Sequence, residues 1–95
     1  MTEIKTILPL TSQHQLEIEL IGEDRKLFFK KECLEYVTIY RKVNDDNWLQ
    51  IVKNARAPFV DSETFIKPVH IEYKVVFEDD NRGNESNTVK IQLPL

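Results

Sequence analysis

Apolar and polar residues alternate with a period of two through most of the chain. Leu16, Ile18 and Leu20 alternate with Gln15, Glu17, Glu19 and Ile21. Successive side chains on an extended strand point to opposite faces, so this pattern predicts a half-buried strand. Between Tyr36 and Val43 the residues Val37, Ile39 and Arg41 share one face, and Tyr36, Thr38, Tyr40 and Lys42 share the other. Asn44-Asp45-Asp46-Asn47 comes next, a cluster of side chains that support turns and left-handed backbone. Trp48 to Val52 resumes a strand pattern, so residues 36–52 read as a β-hairpin. Ala57-Pro58 interrupts the chain before a short strand over Phe59 to Phe65, and Pro68 marks a further turn. The strongest strand follows, with Ile71, Tyr73, Val75 and Phe77 on one face and Glu72, Lys74, Val76 and Glu78 on the other. Asp79 to Asn84 reads as a loop, and Asn87 to Leu93 as the last strand with Val89, Ile91 and Leu93 inward. At the other end, Ile4 to Leu10, closed by Pro9, reads as the first strand.

One segment does not follow this rhythm. Asp24 to Leu34 holds Leu27-Phe28-Phe29 and then Lys30-Lys31-Glu32-Cys33-Leu34, which fits an extra strand or a short helical turn. The expected architecture is all-β: a seven-stranded antiparallel β-sandwich with an irregular insertion around residues 24–34, forming a single domain over 1–95. Phe28 and Phe29 lie in that insertion with lysines beside them. Exposed, the pair would form an apolar interface patch; buried, it would supply a core aromatic. Burial of one and partial exposure of the other is the expectation.

The composition narrows the function classes. The chain is 41% hydrophobic and 31% charged, which suits a packed domain and not a disordered one. Its formal net charge of −3 argues against a nucleic-acid module, which needs Lys and Arg gathered on one face. The densest basic run, Lys26 to Lys31, is flanked by Glu23, Asp24 and Glu32 and reads as a solvated edge. No basic-then-apolar leader opens the sequence, and no apolar run approaches the roughly 20 residues of a membrane span. The expected setting is therefore the cytoplasm, or a cell or virion surface as part of a larger assembly, with no membrane and no nucleic acid as partner. Cys33 is the single cysteine, so no intrachain disulfide and no four-cysteine zinc site can form; a small buried apolar role is expected for it.

From Tyr36 onward the residues resemble a fibronectin type III domain of the bacterial or phage kind. Val37-Thr38-Ile39-Tyr40-Arg41 is similar to that family's third strand, and Trp48 to the tryptophan after the following turn. Phe59-Val60-Asp61 resembles the fifth strand, Glu72-Tyr73-Lys74-Val75-Val76 the sixth, and Gly83-Asn84-Glu85-Ser86 the opening of the seventh. Three features depart from the family pattern. Leu20 stands nearest to where a second-strand core tryptophan is usual, Tyr73 fits a tyrosine corner imperfectly, and the Asp24–Leu34 segment has no counterpart. The resemblance implies an immunoglobulin-like sandwich used for adhesion, spacing or protein recognition, for instance in phage-tail or cell-surface machinery. It names no partner, because one sandwich fold hosts many functions.

Residue chemistry points the same way. His14 and His70 lack metal-ligand spacing, the two glycines Gly22 and Gly83 cannot build a phosphate loop, and no catalytic signature surrounds Cys33. Asp79, Asp80, Asn81, Asn84 and Glu85 gather oxygen ligands but lack the order of a calcium loop, and Arg82-Gly83-Asn84 lacks the carboxylate of an adhesion tripeptide. The expected function is thus a non-catalytic protein–protein interaction or spacer module without cofactor or metal, acting on a protein partner or by self-association. Its interaction candidates are Phe28, Phe29, Tyr40, Trp48 and Arg82. The alternative is a carbohydrate-binding sandwich with an aromatic platform at Trp48 and Tyr40. Cross-strand aromatics more often stabilise the sheet itself, by roughly 0.2–1 kcal/mol per pair.

Overall fold

The inward-facing sets of the alternating segments come together as two antiparallel sheets in a sandwich-like arrangement. The computed structural model describes residues 14–79 and 83–94, and these form eight strands and no helix. They are β1 (Glu17–Ile21), β2 (Asp24–Phe28), β3 (Tyr36–Val43), β4 (Leu49–Val52), β5 (Phe59–Asp61), β6 (Val69–Glu78), β7 (Gly83–Glu85) and β8 (Val89–Leu93). The expected strand Ile4–Leu10 with Pro9, and the loop residues Asp80, Asn81 and Arg82, lie outside the described residues. Among the described residues no helix is long and apolar enough to cross a membrane.

One sheet has the order β1-β2-β5, and the other runs β4-β3-β6 with β7 and β8 both on the far edge of β6. β7 pairs with Val76 to Glu78 and β8 with Val69 to Tyr73, so the two short strands share one edge end to end. Between them Ser86 replaces a ladder step: its N–H donates to the Val75 carbonyl at 2.9 Å, and its hydroxyl accepts the Val75 N–H at 3.0 Å. The next residue, Asn87, turns its amide across to Leu16. Its Oδ1 accepts the Leu16 N–H at 2.8 Å and its Nδ2 donates to the Leu16 carbonyl at 3.0 Å, tying the approach to β1 to the approach to β8. Six of the seven expected strands fall within the described residues, and the count rises to eight because β2 forms inside the expected insertion and β7 forms at Gly83–Glu85, separate from a last strand that begins at Val89.

For the 24–34 segment the structure takes the extra strand and not the helical turn, and the irregular insertion shrinks accordingly. Residues 24–28 are a regular strand in the centre of its sheet, with Leu27 facing both Ile18 and Phe59. Alternation of Arg25 and Leu27 inward against Asp24, Lys26 and Phe28 outward fits that position; the irregular part is confined to residues 29–35. The positive φ of Gly22 (63°) suits the turn between β1 and β2, a conformation that costs glycine nothing. β5 ends at Asp61 and not at Phe65.

The core is the inner faces of β2, β3 and β6 with flanking residues. Leu27, Val37, Ile39, Ile71, Tyr73, Val75 and Phe77 are fully buried, and Leu16, Phe29, Ala55, Val69 and Leu93 close the layer. Phe29 meets Phe77 edge-on, with ring centroids 6.3 Å apart at 76°. β3 and β6 are in register over eight residue pairs, Tyr36 with Glu78 through Val43 with Ile71. This pair forms the backbone of the larger sheet.

Candidate interaction site

Two polar constellations stand out, one buried and one open. The buried one consists of residues in inward phase that are not apolar. Arg25 faces Asp61 across β2 and β5, and Arg41 faces Tyr73 across β3 and β6. Each sheet thus contributes one directly opposed pair, and the two pairs join through the interior. The Tyr73 hydroxyl donates to Asp61 Oδ2 at 2.6 Å and accepts from Arg25 Nε at 2.9 Å. Arg41 Nη1 donates to the same carboxylate oxygen at 2.8 Å. The connection after β5 folds back over the group: the Glu63 carbonyl accepts from Arg25 Nη2, its carboxylate accepts from Arg41 Nη2, and the Phe65 ring lies 5.5 and 4.9 Å from the two guanidinium carbons.

Burial alone would raise the Asp61 pKa, but hydrogen bonds from Tyr73 and Arg41 outweigh it and hold this carboxyl below its ordinary range. Burial and the carboxylate beside it push the Tyr73 hydroxyl well above the ordinary phenol value. Arg41 Nε is the one buried side-chain polar atom, among the described residues, without a hydrogen-bond partner. Every ionisable group here is engaged with another member of the group, and the aromatic cap closes it. The constellation is a buried clamp between the sheets. Tyr73 acts through side chains and not through a backbone corner.

The open constellation lies at the other end of β3. Phe29 to Glu35 and Lys53 to Pro58, the connections on either side of the β3–β4 hairpin, form the walls of a cleft of about 650 Å³. Both walls are pinned. The Ala55 N–H donates to the Val37 carbonyl at 2.7 Å and Ala55 itself is buried, which fixes the wall that carries Arg56. On the other wall Glu35 N–H donates to the Glu32 carbonyl at 3.1 Å, and Glu35 Oε1 accepts the Glu32 N–H at 2.8 Å. Glu35 Oε2 sits 3.3 Å from His14 Nε2, and the His14 ring tilts over Phe77 at 4.9 Å. This reciprocal turn holds Cys33 and Leu34 at its tip, so Leu34 is 80% exposed and Tyr36, beside it, 54%. Lys30, Lys31 and Arg56 ring the same opening.

The sequence-derived candidates are distributed unevenly about this cleft. Phe29 is buried beneath it and Phe28 is half-buried on the outer face of β2, 5.4 Å from Lys26 Nζ, in a smaller adjoining groove that shares Lys30. Tyr40 and Trp48 are elsewhere, on the outer face of the larger sheet. Lys74 Nζ lies 5.9 Å from the Tyr40 ring and 4.6 Å from the Trp48 ring, and Lys42 Nζ 4.9 Å from Trp48. The two aromatics do share a patch, but ammonium groups cover it and give it internal partners. Cys33 corrects its expected burial: it is exposed, because the turn that presents Leu34 also presents its neighbour. Leu34 and Arg56 escaped the sequence reading, which placed Tyr36 outward on its strand without joining it to this cleft. The signals for Leu34 and Tyr36 were a lone apolar residue in a charged run, and an aromatic at an outward position of β3.

No family model matches the chain, and neither a curated protein nor a solved structure matches it. Among the described residues no group of three or more His, Cys, Asp or Glu side chains is placed to hold a metal ion.

Proposed function

We propose that the chain is a fibronectin type III-like sandwich that works as a non-catalytic protein–protein interaction module, with the cleft between residues 29–35 and 53–58 as its contact surface. The strand order supports the family reading. With β7 and β8 counted as one interrupted strand, the first, second and fifth strands share a sheet and the fourth sits at the edge of the sheet of the third, sixth and last. Constant-type immunoglobulin domains instead place the fourth strand with the first, second and fifth. The observation that carries the functional reading is the held exposure of Leu34 and Tyr36. A hydrogen-bonded turn keeps a large aliphatic side chain in solvent next to an aromatic, at the mouth of a formed cleft. Large apolar side chains gathered at one opening mark an interface, whereas singly scattered ones are ordinary.

Selection of a random peptide library displayed on phage against the immobilised protein tests this reading. Convergent peptides are expected that bind the wild-type chain and lose binding to a Leu34→Ser/Tyr36→Ser variant. Both positions are exposed, so this variant keeps its stability within about 0.5 kcal/mol. Failure to enrich a convergent family, or equal binding to the variant, would sink the proposal.

A further inference from the structure

The charge around the cleft runs against the charge of the chain. The whole sequence carries a formal −3, yet Lys30, Lys31 and Arg56 stand together at one opening. Among the described residues Lys30 and Arg56 form no ion pair, and Lys31 Nζ donates only to the neighbouring Glu32 carbonyl at 3.1 Å. Glu35 also lines the cleft but forms no ion pair with these three cations: one oxygen accepts the Glu32 N–H and the other sits 3.3 Å from His14 Nε2. Three cations therefore face the opening beside exposed Leu34 and Tyr36.

We infer that this cleft takes an acidic segment of a partner protein, with carboxylates on Lys30, Lys31 and Arg56 and an apolar side chain against Leu34 and Tyr36. The inference rests on the interaction reading above and adds the chemistry of the partner. A volume of about 650 Å³ lies within the roughly 300–1,000 Å³ of formed ligand sites, and suits a few side chains. The cations are confined to the opening. Glu78, exposed, pairs with Tyr36 across the sheet, and Glu17 lines the adjoining groove. A short acidic segment can reach the three cations without extending to Glu78 or Glu17, whereas a longer nucleic-acid backbone would run on toward these carboxylates and be repelled by them. Leu34 also offers nothing to a phosphate, but it is a natural contact for an aliphatic or aromatic anchor.

The test uses fluorescence anisotropy with a fluorescein-labelled peptide of alternating Glu and Leu, a matched Lys and Leu peptide, and a labelled single-stranded oligonucleotide. The Glu/Leu peptide is expected to bind, and to weaken as NaCl is raised. Binding should fall about tenfold or more in Lys30→Glu/Arg56→Glu and stay unchanged in Lys90→Glu, which lies on β8 at the opposite end of the sheet. Amide shifts on adding the peptide to isotope-labelled wild-type protein should fall on residues 29–36 and 54–57, which needs no variant to fold. The proposal is overturned if the Glu/Leu peptide does not bind, if charge reversal leaves its binding intact, or if the oligonucleotide binds at least as tightly. It is equally overturned if light scattering shows a wild-type dimer that the charge reversal dissociates, since the cleft then belongs to a second copy. Neutral or basic peptides emerging from the random library would refute the acidic partner while leaving the interaction module standing.

Discussion

Asp61 Oδ2 accepts hydrogen bonds from both Tyr73 and Arg41 and lies 3.3 Å from Arg25 Nη2. Replacing it with Asn leaves two buried guanidiniums without their shared counter-charge. Breaking one partner of such a group costs about 3–5 kcal/mol, so Asp61→Asn should lower the urea midpoint far more than any surface change. Tyr73→Phe removes only a hydroxyl and should cost about 1–3 kcal/mol. The group also sets a pH dependence. The Asp61 pKa is lower in the folded than in the unfolded chain, so its contribution is complete above the ordinary carboxylate value of about 3.9 and is lost as pH falls through the depressed folded value. Tyr73 is shifted upward, so its contribution is complete below about 10 and is lost as pH rises beyond it. Urea titrations across pH should show both losses in the wild type, and Asp61→Asn should flatten the acid limb. Part of this network was legible: Arg41 was already in phase with Val37 and Ile39. A charged residue in inward phase announces a buried partner, but a single sequence does not say which carboxylate from which sheet will meet it.

Strands with a strong alternating pattern were readable, and the weakly patterned ones were not. β3 and β6 emerge at nearly their expected limits because four inward apolar positions on β6 leave no other register. β2 was obscured because Arg25 occupies an inward position and Phe28-Phe29 breaks the alternation at the strand end, where Phe29 turns into the core from the following connection. Its central place in the three-stranded sheet can be checked directly. Lys26 pairs with Glu19 on one side and Val60 on the other, so Lys26→Pro removes a donor within a doubly paired strand and should abolish cooperative unfolding. A strand-less insertion would tolerate it. Amide hydrogen exchange should be slowest in β3 and β6, which are paired along both edges, and faster in the short β5 and β7. The cleft was hidden for a related reason. Its walls are connections, whose approach depends on the Ala55–Val37 hydrogen bond and the Glu32–Glu35 turn, and neither has a periodic signature.

Across the molecule, clamp and cleft occupy opposite ends of the same strand. Arg41 and Tyr36 are five steps apart on β3, or about 17 Å of extended chain. No residue of the clamp lines the cleft. The buried ionic group lies at one end of β3, and the other end keeps apolar side chains in water beside the core. Leu34 and Tyr36 contribute little to the core, so their exposure costs the fold little and remains available to a partner. This separation is testable as a double-mutant cycle. Asp61→Asn alone should destabilise strongly, and Leu34→Ser alone should fall within about 0.5 kcal/mol of wild type. The combined variant should equal the sum within about 0.3–0.5 kcal/mol, as expected for sites more than 7–10 Å apart that share no partner. Peptide binding at a temperature where all variants are folded should depend on Leu34 and be indifferent to Asp61. A coupling energy above about 1 kcal/mol would mean that β3 transmits strain from one end to the other, and the clamp would then have to be counted as part of the binding site.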